Sequence, residues 1–341
     1  MKKTAVLPIA VLLGSGGVFA LRWMQNRTGF EPVSGLAIPG NPYAIALLLF
    51  LAVLTALFLF LTRQLPAESE KAAFTAAFST VGAGIPTLLV MGDFLLMISG
   101  GLSLYSCVMM GMLLPPESDA YGLGGAAVYA GGNLVLGLLT VLAAVCLFPA
   151  ITRCRRHPNR ESRDLGGNLL LAPVACLVVR MVLTSRTDSI NPTLMAYYPE
   201  LLALAALTLG FYQLAAFAFG GGKTRRFALW SALSVVLCAA TLADLHDFAS
   251  LALYAACALL QLGFLLLRLN GLSAPTAAVP TAAVPTAAAP TATIPTAAET
   301  ASPQSAPPAP GDAPRPKAPP QPEGLAQPKV PAKPGEKTKP V

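Results

Sequence analysis

Three ionisable residues stand inside long apolar runs: Asp93, Arg180 and Glu200. Asp93 is bracketed by Met91-Gly92 and Phe94-Leu95, near the middle of its run. A carboxylate at mid-helix costs about 2.5–3.5 kcal/mol on membrane-insertion scales, which makes it a natural suspect for binding a cation or carrying a proton. It also reads as a structural group that pairs with another helix or rests protonated. Arg180 lies just inside the end of one run, and Glu200 near the start of the next, after Tyr197-Tyr198-Pro199. The two runs form a hairpin through Thr184–Thr193, so both side chains reach similar depth. Pairing would offset the cost of each, and snorkelling to the interface is the competing reading. Together the three residues define a candidate polar path between helices.

Other chemistry is sparse. Asp244, His246 and Asp247 cluster in one short turn, but their spacing suits no recognised metal site, and the turn reads as a solvated connector. Of the 2 histidines, His157 and His246, neither stands beside a serine or cysteine as a triad requires. The 6 cysteines share no CxxC spacing and mostly lie within apolar runs, where the residue behaves as a small hydrophobe. Gly220-Gly221-Gly222-Lys223-Thr224 fails as a phosphate loop, because the first glycine of that motif would fall on Phe217 and an apolar helix precedes it. It reads as a helix stop followed by basic anchors. No cofactor, metal or catalytic motif is implied, so an enzyme is not expected.

The elements that position these residues follow from composition. The chain of 341 residues is 55% apolar and only 11% charged, with a mean hydropathy of +0.63. Soluble domains carry about 25% charged residues, so this chain cannot cover an aqueous globule. Its apolar runs are continuous rather than alternating, which favours helices over a barrel. Eight segments approach the roughly 20 residues a span needs: Thr4–Leu21, Tyr43–Leu61, Val81–Leu102, Ala127–Leu147, Asn168–Leu183, Tyr198–Phe219, Phe227–Leu242 and Phe248–Leu267. The stretch from Val81 to Leu114 admits two short passes turning at Gly100-Gly101, but one pass with an interfacial extension suits the charges better.

Charge then orients the spans. With the N-terminus in the cytoplasm, Lys2, Lys3, Arg63, Lys71, the arginine-rich loop Ile151–Gly167, Lys223, Arg225, Arg226 and Arg268 lie inside, and only Arg22, Arg27 and Arg186 outside. The net charge of +7 therefore reads as membrane orientation rather than nucleic-acid binding. Lys2-Lys3, the first apolar run and Val18-Phe19-Ala20 resemble a signal peptide, and an uncleaved first span is the expectation. Arg22–Pro42 is expected to be a turn-rich loop over the bundle mouth, and its sequon Asn26-Arg27-Thr28 a chance match.

The fold class expected is all-α: a polytopic transmembrane bundle over residues 1–272, with a disordered Pro/Ala/Thr-rich tail over 273–341. The tail opens at Pro275 with a five-residue repeat of the type PTAAV, which blocks helix and sheet and buries too little to form a core. Pro328-Lys329-Val330-Pro331-Ala332-Lys333 loosely matches a PxxP ligand pattern. The expected partners are the lipid bilayer and proteins recruited by the tail, in a cell membrane with both termini cytoplasmic. A small-solute or ion permease is the first functional expectation, and a non-catalytic scaffold or accessory subunit the alternative.

Overall fold

Long uninterrupted apolar stretches with capped ends become helices. The computed structural model describes residues 6–31, 38–65, 74–80, 82–113, 125–154, 167–188, 197–244 and 246–273. In chain order the helices are α1 (Val6–Thr28), α2 (Pro42–Arg63), the short α3 (Phe74–Ala77), α4 (Gly84–Leu113), α5 (Gly125–Arg153), α6 (Ala172–Asp188, entered through a 3₁₀ turn at Gly167–Leu171), α7 (Tyr197–Ala218), α8 (Thr224–Leu242) and α9 (Phe248–Ser273). Eight of them are long and apolar enough to cross a bilayer, and the described residues contain no strand. The proline-rich tail beyond Ser273, with its repeat and PxxP match, lies outside the described residues, as does most of the arginine-rich loop.

Local chemistry sets the ends. Asn41 caps α2, its side chain accepting from the backbone N–H of Tyr43 (2.8 Å) and Ala44 (3.3 Å), while Pro42 occupies a first-turn site where no N–H is needed. Helix α7 stops at Gly220, which takes φ +72°. The Gly220 N–H bonds Phe217 O and the Gly221 N–H bonds Ala216 O, the paired closure of a helix ending on a left-handed residue. The triple glycine before Lys223 is thus a helix stop, as its composition implied.

One expectation about boundaries changes, the end of the first helix, and the single pass expected through Gly100-Gly101 holds. Helix α1 runs on to Thr28 instead of giving way to a loop after Leu21. Its last turns are held by side chains, since Arg22 and Asn26 both bond Asp244, and Arg27 lies 4.0 Å over the Trp23 ring. Helix α4 passes unbroken through Gly100-Gly101. Gly100 is a contact point rather than a turn: a Cβ there would lie 2.7 Å from Val141 Cγ2 and 3.1 Å from the carbonyl oxygen of Gly137, so α4 and α5 cross backbone to backbone.

Helix α9 packs along α4 and α8, and α8 also meets α1, α2 and α7, which puts α8 and α9 at the centre. Phe78 is met edge-on by Phe217, Phe227 and Phe264, gathering α7, α8 and α9 near Arg268. The outside is as apolar as the inside. Leu13 and Leu48 are 72% and 70% exposed, and Phe60, Phe94 and Phe148 also point outward. Water would not tolerate so much exposed hydrocarbon, and lipid does. The chain is a multi-pass membrane protein.

Candidate polar site

Helix α9 carries Ser250, Tyr254, Gln261 and Arg268 at spacing i, i+4, i+11 and i+18, which places them on one helix face along the length of the span. All four are buried, at 4%, 0%, 0% and 3% exposure. Polar groups in a bundle core need partners, and each of these finds one on a different strip of the surrounding helices.

At one end, α6 and α7 bring Arg180 and Glu200 to Ser250 and Tyr254. Arg180 Nη2 donates to Ser250 Oγ (2.7 Å) and lies 3.4 Å from Glu200 Oε1. The same Glu200 oxygen accepts from the Tyr254 hydroxyl, and Glu200 Oε2 sits 3.3 Å from His246 Nε2. The Arg180 guanidinium also lies over the Tyr254 ring at 5.7 Å. At mid-span, Ser231 Oγ on α8 donates to Gln261 Oε1 (2.8 Å), and α7 comes close because Gly210 has no side chain: a Cβ there would lie 2.9 Å from Gln261 Nε2. At the other end, Arg268 donates to Thr224 Oγ1 (2.9 Å) and to the carbonyl of Ala77 (3.3 Å), and stacks over Phe217.

The three residues singled out by sequence are therefore divided. Arg180 and Glu200 are an ion pair rather than separate snorkelling charges. Asp93 is buried on α4 and no hydrogen bond or ion pair among the described residues joins it to them. Its neighbour Gly92 faces Leu260 and the Ala256 carbonyl, which belong to the α4 side of α9 and not to the polar stripe. Asp93 Oδ1, Arg180 Nε, His246 Nδ1 and Gln261 Nε2 are buried with no hydrogen-bond partner in the described residues.

The turn between α8 and α9 is also more than a solvated connector. Asp244 is clasped by Arg22 and Asn26, and His246 is the aqueous edge of the Glu200 cluster. Burial acts to lower the His246 pKa. The hydrogen bond and charge of Glu200, followed by the Asp244 backbone and carboxylate, outweigh burial and raise it above the usual histidine value.

Ser231, Ser250, Tyr254 and Gln261 escaped sequence reasoning because none is charged. The signal that finds Ser250, Tyr254 and Gln261 is their spacing on α9, which collects the polar residues of that helix other than Asn270 and the terminal Ser273 on one face, whereas Ser231 of α8 is found only through its bond to Gln261. A groove of about 490 Å³ beside α6 and α7 is lined mainly by Met181, Val182, Leu201, Leu202 and Ala205, a surface suited to acyl chains rather than to polar solutes. No protein-family model, curated protein or solved structure matches this chain, so the geometry alone carries the functional argument.

Proposed function

We propose that this protein is a small-solute or ion permease whose polar path follows the buried face of α9. The observation that carries the reading is the stripe Ser250–Tyr254–Gln261–Arg268, with partners on α6, α7 and α8 and unpartnered nitrogens at Arg180 and Gln261. Helix association needs small residues and an occasional hydrogen bond. It does not call for polar side chains repeated along one face from end to end, each of which costs free energy in hydrocarbon unless it is hydrogen-bonded. The path differs from the one expected from charges alone, in that Asp93 lies beside it and serves as a separate proton or cation site.

The same reading sets the bundle in a cell membrane with both termini in the cytoplasm. Arg63, Arg153, Lys223, Arg225 and Arg226 then flank the inner surface and the His246 turn faces outward. No catalytic role is assigned.

Flux into proteoliposomes tests the proposal, with Gln261→Leu, Glu200→Gln and Asp93→Asn compared against truncation after Leu272. A permease loses flux on substitution of Gln261 or Glu200 and keeps it without the tail. Cellular loss of function that follows the tail alone, with the α9 substitutions silent, would replace this reading by the scaffold.

A further inference from the structure

His246 and Glu200 meet where the aqueous turn joins the polar stripe. His246 follows the end of α8, and its ring packs at 68° against Tyr254 of α9 with centroids 5.7 Å apart. Its Nε2 reaches Glu200 Oε2 on α7 at 3.3 Å. Glu200 in turn holds Tyr254 and Arg180 through its other oxygen. One imidazole thus ties the α8–α9 turn to α7, at the only point where a group that titrates near neutral pH touches the stripe among the described residues.

We infer that His246 and Glu200 form a proton-binding latch over this end of the α9 path. With a proton bound, imidazolium and carboxylate attract, and the turn is clamped onto α7 across Tyr254. When the proton on the unpartnered Nδ1 leaves to water, His246 becomes neutral and its Nε2–H keeps only an uncharged hydrogen bond to the carboxylate. The clamp loosens, and Arg180 is left as the only cation held against Glu200 among the described residues. The ligand is the proton itself, so no co-reactant is needed.

The charges around His246 support this direction. Glu200 faces it from α7, Asp244 and Asp247 stand on its own turn, and Tyr254 packs from α9. Arg180 of α6 is engaged with Glu200 and Ser250, and Arg22 of α1 is engaged with Asp244. Each nearby cation is matched by a carboxylate, so His246 sits in a setting that favours its charged form, in line with its raised pKa. The sign follows. A group whose pKa rises on folding contributes stability below its unfolded value, and that stability is lost as pH climbs through the folded value. The latch is closed in acid and opens in alkali.

That the latch gates a path rests on the permease reading, but its existence is tested without transport. The full-length protein, purified in detergent without a polyhistidine tag, contains only 2 histidines. Labelled imidazole resonances can therefore be titrated through roughly pH 5 to 9 and assigned with His157→Gln. The His246 midpoint is expected above the ordinary 6.5 and to fall in Glu200→Gln, while His157 does not move. Hydrogen exchange of the segment Asp244–Leu251, corrected for intrinsic rates, is expected to be several-fold slower below that midpoint than above it. In His246→Gln the difference disappears, which covers the case in which Glu200→Gln does not fold. An unshifted titration, or protection of the wild-type turn that is flat across pH, overturns the latch. Absence of flux through the wild-type protein with both signatures intact would instead count against the permease.

Discussion

Arg22 on α1 holds Asp244 beyond the end of α8 through two contacts, Nε to Oδ1 at 2.7 Å and Nη2 to Oδ2 at 3.2 Å. Asn26 adds a third bond to Oδ1 (2.7 Å) and a fourth to the Ala243 carbonyl (3.0 Å). A fork-to-fork pair of this kind, with Arg22 only 3% exposed, fixes the first span to the centre of the bundle.

Asp244→Asn removes the charge that Arg22 requires while preserving shape. Breaking one side of a buried pair leaves the other uncompensated, at a cost of about 3–5 kcal/mol. Denaturant unfolding in mild detergent is expected to show that loss. Arg22→Met together with Asp244→Leu should recover much of it, because neither charge then remains buried.

The packing of α1 predicts the fate of the first span. Leu7, Val11 and Val18 are buried in one core with Ala232, Val235 and Val236 of α8, so removal of residues through Ala20 would open that core. The intact mass of the purified protein is expected to include this segment. A mass matching cleavage after Ala20 would contradict the packing.

Gly100 and Gly101 offer a paired test of the α4–α5 crossing. Alanine at Gly100 puts a methyl group 3.0 Å from the Val141 backbone nitrogen, while nothing lies within 4 Å of a Cβ at Gly101. Overpacking of this kind costs about 1–3 kcal/mol, whereas Gly101→Ala should change stability by no more than about 0.5 kcal/mol. Equal effects of the two substitutions would show that the helices do not cross there.

Gln261 separates stability from passage. Its Nε2 is buried without a partner while its Oε1 accepts from Ser231, so Gln261→Met removes an unsatisfied polar atom and a buried acceptor together and is expected to change unfolding by no more than about 1 kcal/mol. Flux in proteoliposomes should fall at least about tenfold, equivalent to about 1.4 kcal/mol of barrier. A variant that is more stable and fully active would make Gln261 a mere relic of packing.

Orientation is open to labelling. An impermeant thiol reagent added to intact cells is expected to modify Asp247→Cys and to reach Lys223→Cys only after permeabilisation. The reverse pattern would invert the bundle and place the latch in the cytoplasm.

Much of this architecture is written in local residue order. Immersion in hydrocarbon is a sum over consecutive side chains, so eight runs such as Tyr43–Leu61 disclose eight spans without knowledge of their neighbours. Asn41-Pro42 and Gly220 likewise declare a helix start and stop through their own backbone preferences. The Arg180–Glu200 pairing was foreseeable because a short hairpin sets both at similar depth.

What the tertiary structure alone decided is azimuth: which way each helix turns its polar residues, and toward which partner. Hydropathy is blind to rotation about the helix axis, so it could not separate Asp93 from the stripe or seat Gly100 on Gly137. Nor could it bring Arg22 to Asp244, or His246 to Glu200, across long stretches of intervening chain. Those relationships come from pairwise packing between segments distant in sequence, where close contact between small residues and the satisfaction of buried polar groups select one rotation of each helix over the rest.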